Sequence, residues 1–365
     1  MPPTGTLSPR RGGPTIRSPS GARVWLTARP RRRGAVTPFP HEETPRAARV
    51  CPGCAGRRRR GRRLQDRRIP KGTTHEFWKS IHAGAKKAEG ELKAQGINVQ
   101  IIWKGPLRED DREQQVQVVE NFIGQRVHGI VLAPLDRRGL VAPVETAVRG
   151  RIPVVVVDSA IESKAPVSYV ATDNRQGGRI AARELGKLLG GKGNVIMLRL
   201  MVGSASTEER EEGFLEVMKS EFPGIKLLST DQHAGSTRDT AKRAAENLLN
   251  RFGRQTQGIF ACNESSAVGM LLALRDAGLA GKVKYVAFDS GEALNAGLKA
   301  GHIDGMVVQN PMKMGYLGVK TIVAALRGEK VPAVIDTGVG YVTKANFDSP
   351  ELADIVRPPL DKYLK

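Results

Sequence analysis

From Ile69 onward, short apolar runs alternate with stretches in which apolar side chains recur every three to four residues. Phe77, Ile81, Ala85, Ala88 and Leu92 fall at helical spacing, and residues 97–103 then read as a strand. Val116, Val119, Phe122 and Ile123 mark a second helix before a strand at 129–132. The cycle repeats with a helix at 140–148 and an almost pure valine strand at 152–157. Unbroken apolar strands of this kind belong to parallel sheets covered on both faces. A second series follows Asp173-Asn174, with strands predicted near 194–198, 225–229, 258–262, 283–288 and 305–308. Two consecutive series predict an α/β protein of two doubly wound parallel-sheet lobes. Ligands of such open sheets bind beyond the carboxyl ends of the strands, so function is to be sought in the polar residues there.

Composition changes abruptly between Arg68 and Ile69. Residues 1–68 hold 18 Arg, no Lys and three acidic residues, a net charge of +15. The remaining 297 residues, with 40 basic and 34 acidic side chains, carry only +6 of the total +21. The globular part is therefore mildly basic, and the high overall charge does not imply a nucleic-acid partner. Cys51 and Cys54 form a lone C-x-x-C without a second pair at metal spacing, and Cys262 reads as a small buried hydrophobe. No metal or cofactor is expected. No run approaches the roughly 18 to 20 apolar residues of a membrane span.

A lysine-free stretch rich in Arg, Pro, Gly and Ala is what GC-rich DNA gives when translated out of frame. Read one nucleotide later, the codon overlapping His41 becomes methionine or threonine, and Glu42 and Glu43 each become lysine or arginine. Thr44, Pro45, Ala47, Ala48, Pro52 and Ala55 can each become leucine, while Cys51 and Cys54 become alanine or valine. That is the plan of a secretory signal peptide: a charged start, an apolar run and a small-residue exit. On this reading residues 1–68 are an irregular head that replaces a signal peptide and a first strand, and the protein is exported. The alternative is a genuine disordered Arg-rich tail.

The strand ends carry a dispersed set of motifs. They are Phe77-Trp78, Leu132-Ala133-Pro134-Leu135-Asp136, residues 153–158, Thr172-Asp173-Asn174 with Gly177-Gly178, Glu209-Arg210 with Glu212-Gly213-Phe214, Asn263-Glu264, Phe288-Asp289, and Gln309. In order and spacing the chain from Ile69 to about Val342 resembles the ribose-binding-type periplasmic sugar receptors of ABC transporters. The resemblance implies two lobes joined by several crossovers, residues 69–172 with 310–338 and residues 173–309 with 339–365, and a sugar or polyol between them. It implicates Phe77 and Trp78 as rings against the C–H faces of a sugar. It also implicates Asp158, Arg210, Asn263, Asp289 and Gln309 as planar forks for adjacent hydroxyls. One of two adjacent aromatics opening a helix must also face the core, and Asp158 and Asp289 are equally suited to capping the following helices. Arg210 could instead pair with Glu209 or Glu212 on the helix surface.

Two departures bear on the ligand. Ala133 stands where a ribose binder carries Asn, and Ser159 where it carries Arg, so two forks are lost from the first lobe. Lys71 and His75 lie in the first loop and offer compensating donors. The loop around His233 and Ser236 is expected to add another wall. His82, His128 and His302 read as surface or structural. The resemblance further implies a monomeric binding protein, not an enzyme, working with a membrane permease. A further reading is a receptor for an autoinducer-type sugar signal coupled to a membrane sensor kinase, and a membrane sensor or chemoreceptor is a second partner to consider. The rival reading, the effector domain of a lac-repressor-like regulator, would need a helix-turn-helix head, and the Pro- and Gly-broken residues 1–68 lack helical apolar periodicity. Alanine at Asp289 or Arg210 is expected to abolish binding without unfolding the chain.

Overall fold

The computed structural model describes residues 64–73 and 75–364. The first lobe runs through β1 (Leu64–Ile69), α1 (Glu76–Ala94), β2 (Val99–Trp103), α2 (Arg112–Gly124), β3 (Gly129–Leu132), α3 (Val141–Arg149), β4 (Val154–Val157) and β5 (Ser168–Ala171). The chain then crosses into α4 (Asn174–Leu188), β6 (Gly193–Leu198), α5 (Ala205–Glu221), β7 (Ile225–Ser229), α6 (Arg238–Phe252), β8 (Gly258–Ala261), α7 (Glu264–Asp276), β9 (Lys284–Phe288), α8 (Glu292–Lys299) and β10 (Gly305–Gln309). It returns through α9 (Pro311–Leu326) and β11 (Val334–Asp336), and ends in β12 (Val339–Val342), α10 (Pro350–Val356) and α11 (Leu360–Tyr363).

The strand orders are β11-β5-β4-β3-β1-β2 and β12-β10-β9-β8-β6-β7, parallel throughout except for β12 against β10. Both sheets reverse winding direction beside their first strand, between β1 and β3 and between β6 and β8. That reversal opens a crevice at the carboxyl ends of the strands, where ligands of such sheets lodge. Each sheet is covered on both faces by an apolar cluster, which explains the all-buried runs of β3, β4 and β8.

The two lobes repeat one packing device. A Cβ on Gly84 would sit 1.9 Å from the Met312 carbonyl oxygen, and one on Gly178 would sit 1.9 Å from that of Arg210. Only glycine lets α1 and α9 cross so closely in the first lobe, and α4 and α5 in the second. The second crossing fixes the backbone of Arg210, and so links the Gly177-Gly178 motif to the cleft.

The first strand corrects the reading of 1–68 as wholly irregular. Leu64 to Arg68 pair in register with both β2 and β3, because ladder hydrogen bonds need only backbone. Arg68 is 1% exposed within the lobe. Ser168–Ala171 and the short β11 and β12 were not anticipated from sequence. Residues 1–63, with the shifted-frame signal peptide and the Cys51/Cys54 pair, lie outside the described residues. Among the described residues, no helix is long and apolar enough to cross a membrane.

Candidate ligand-binding site

Asp158 follows the last residue of β4, and Asp289 follows the last residue of β9 in the other lobe. Both adopt the left-handed backbone conformation, with φ of 65° and 73°. Their amides still continue the sheets, Asp158 donating to the Val170 carbonyl and Asp289 to the Val307 carbonyl, at 3.1 and 2.8 Å. A non-glycine residue pays for this conformation, and short Asp side chains tolerate it best. Neither carboxylate caps its following helix, and both line one cavity between the lobes.

Nine of the expected residues line that cavity: Lys71, His75, Phe77, Trp78, Asp158, Arg210, Asn263, Asp289 and Gln309. Trp78 serves two purposes, since it belongs to the apolar core at 3% exposure and its Nε1 donates to Glu109 at 2.7 Å. Phe77 meets it edge-on, centroids 5.1 Å apart, and remains the more accessible ring.

Arg210 is buried, and not on a helix surface with Glu209 or Glu212. Its Nε donates to Asn174 at 2.9 Å, its Nη1 to the Cys262 carbonyl at 3.1 Å, and its guanidinium lies 4.0 Å from the centroid of Phe288. Asp289 lies 3.9 Å from it. The Asp289 carboxylate also accepts from Gln309 Nε2 at 2.7 Å and from the Glu264 amide at 3.0 Å. Burial pushes its pKa up to about 6 although Arg210 and Gln309 favour the charged form, and nearby Asp158 adds to the rise. Gln309 Oε1 is buried without a hydrogen-bond partner among the described residues. Asn263 caps α7, its side chain engaged by Ser265 and Ser266.

Lys71 brings a buried cation from the first loop into the cleft. Its Nζ donates to Ser159 Oγ at 2.6 Å, contacts Asp158 at 3.0 Å, and reaches Ser206 and Ser204 of the second lobe at 3.2 and 3.3 Å. Ser159 is fully buried, supports Lys71 and donates to Ser206 at 2.7 Å, and does not itself line the cavity. Ser236 also lies outside it. Its hydroxyl donates to Asp110 at 2.8 Å, because the loop before α6 turns it toward the opposite lobe.

Four polar cavity groups were missed in the sequence, Glu109, Ser206, Thr207 and Glu264, besides the apolar Leu200. Of these, Glu264 stood inside a quoted motif, but no local pattern marks the others. Glu109 contacts His75 Nδ1 at 3.1 Å, and Glu264 of the other lobe approaches it at 3.6 Å. Burial opposes charge on His75, yet Glu109 and Glu264 outweigh it and raise its pKa above 6.5. The same pairing holds Glu109 low despite its burial.

The walls stand close together and leave about 30 Å³ of space open to water between them. Contacts across the cleft draw the lobes together, among them Arg137 to Glu208 at 3.0 Å and the Glu292 amide to Glu76 at 2.9 Å. A sugar-sized guest would enter only if these contacts part.

Residues 69–330 match the family model described as a periplasmic binding protein domain. A D-allose-binding periplasmic protein of Escherichia coli K12 is 32% identical over 271 residues, which is 72% of this chain and 85% of that one. A D-ribose/D-allose-binding protein of Pseudomonas aeruginosa is 28% identical over 285 residues, 75% of this chain and 87% of that one. Among solved structures, a carbohydrate transporter solute-binding protein from Agrobacterium radiobacter in complex with D-arabinose is 35% identical. It superposes with a TM-score of 0.76 over 80% of this chain and 99% of that one. Fold, motifs and relatives agree that this chain belongs to the periplasmic binding protein family.

Proposed function

We propose that this protein is an extracytoplasmic receptor that closes on a neutral sugar or polyol and delivers it to the membrane permease of an ABC transporter. The observation that carries the reading is the pair of left-handed aspartates, one from each lobe, set opposite each other on one cavity. Asp158, Asp289 and Gln309 offer acceptors to vicinal hydroxyls, while Lys71 and Arg210 supply donors and Phe77 an apolar face. The fixed charges favour a neutral guest, because Lys71, His75 and Arg210 are matched by Asp158, Glu109 and Asp289 within the same walls, and Glu264 is paired with Arg238 behind them. Ligand held by both lobes favours the closed form by its differential affinity, and hinge motion performs the capture. The work is binding, not catalysis. The sugar named for each relative belongs to that relative, and the altered Ala133 and Ser159 positions set this cleft apart from a ribose binder.

Thermal-shift screening against pentoses, hexoses and inositols tests the reading. A ligand present at 100 times its Kd adds about 2.7 kcal/mol to apparent stability, a clear rise in Tm. A panel in which no sugar raises Tm would overturn the assignment.

A further inference from the structure

A second, larger chamber adjoins the polar cleft. It measures about 440 Å³ and shares Phe77, Asp289 and Gln309 with the cleft as common walls. Its other surfaces are mainly apolar: Pro311 at the start of α9, Phe347, Val356, Pro358 and Leu360. Besides the shared Asp289, which faces Arg210, the charged side chains around it are Glu76 and Glu292 against Lys299 and Arg357, a balanced set. Lys299 and Arg357 stand 4.7 and 5.1 Å from the centroid of Phe347.

The chamber is built from the end of the chain. Asn295 donates to the Val356 carbonyl at 2.7 Å and Ser290 to the Ile355 carbonyl at 3.1 Å, which pins α10 against α8. Beyond it, α11 packs on α1 of the other lobe. The chamber is thus formed by both lobes, as the cleft is. A cleft of polar forks opening onto an apolar, charge-balanced space fits a ligand with two unlike ends.

Resting on the proposed sugar-receptor reading, we infer that the preferred ligand is a sugar bearing a neutral apolar substituent, such as an aryl glycoside, its ring in the cleft and its aglycone in the chamber. The contribution of the aglycone follows from apolar area removed from water, and a phenyl group is expected to strengthen binding about tenfold or more over a methyl group.

Calorimetric titration with both anomers of the methyl and phenyl glycosides of D-ribose, D-arabinose and D-allose, alongside the free sugars, tests this. The expected result is a phenyl glycoside at least about tenfold tighter than its methyl counterpart. Ala296→Trp, placed on the exposed side of α8 to fill the chamber, should erase that advantage while leaving free-sugar affinity unchanged. A free sugar that binds while its phenyl glycosides bind no better than the methyl ones, or not at all, overturns the chamber proposal alone. Failure of every free sugar and glycoside to bind overturns the receptor reading and the chamber with it.

Discussion

Asp289 makes ligand affinity depend on pH in a calculable way. Its carboxyl is raised from 3.8 to about 6 by burial in the cleft, with Arg210 and Gln309 only partly offsetting this. Sugar hydroxyls donate to the ionised carboxylate, so binding draws the pKa back down and releases a proton. If the complex returns to about 4, the free protein at pH 5 is mostly protonated at this residue, and affinity there is about tenfold weaker than at pH 7. Against the effect of burial, Glu109 and Glu264 raise His75 above 6.5, and the Asp289→Asn control separates any contribution of His75 from that of Asp289. Stability moves the other way. The native state keeps the Asp289 proton to higher pH than the unfolded chain, so this residue's contribution to stability falls as pH rises from about 4 to about 6 and is flat above. Titration calorimetry at pH 5 and 7, in two buffers of different ionisation enthalpy, counts the released proton. Asp289→Asn should flatten the profile and weaken binding by about 10- to 150-fold, the value of about 1.5–3 kcal/mol for a hydrogen bond to a charged group. Equal affinity at pH 5 and 7 in the unaltered protein, or a slope that survives Asp289→Asn, would refute the reasoning.

Other substitutions probe separate parts of the account. Arg210→Ala should abolish binding and also destabilise the fold by about 3–5 kcal/mol, because it removes the guanidinium from the buried Asp289 carboxylate, Asn174 Oδ1 and the Cys262 carbonyl; this revises the expectation of an innocuous change, and chemical denaturation measures it. Lys71→Met removes the ammonium that joins Asp158 and Ser159 to Ser204 and Ser206, so small-angle scattering of the ligand-free protein should report a larger radius of gyration; an unchanged radius would exclude a latch.

The sheets were legible because parallel strands covered on both faces write themselves as unbroken apolar runs, Val154–Val157 above all. The polar residues that end such runs were legible as site candidates by position, and Asp158 and Asp289 stand in the cleft for that reason. Lys71 could be suspected from the loss of Arg at position 159, but its serine partners could not, since Ser204 and Ser206 come from the other lobe more than 130 residues away. Glu109 lies in a loop with no periodicity, and its place depends on Trp78 and His75 folding onto it. Ser236 illustrates the converse, a plausible loop residue whose side chain a local turn sends to Asp110. The strand Leu64–Ile69 escaped a side-chain reading because its place is set by backbone pairing with two neighbours.

The most direct test of the central claim is a crystal structure of the protein with the sugar that most raises its Tm. The account predicts the ring between the lobes, its hydroxyls within hydrogen-bond distance of Asp158, Arg210, Asp289 and Gln309 and one C–H face against Phe77. A sugar bound elsewhere, or touching only one lobe, would contradict it.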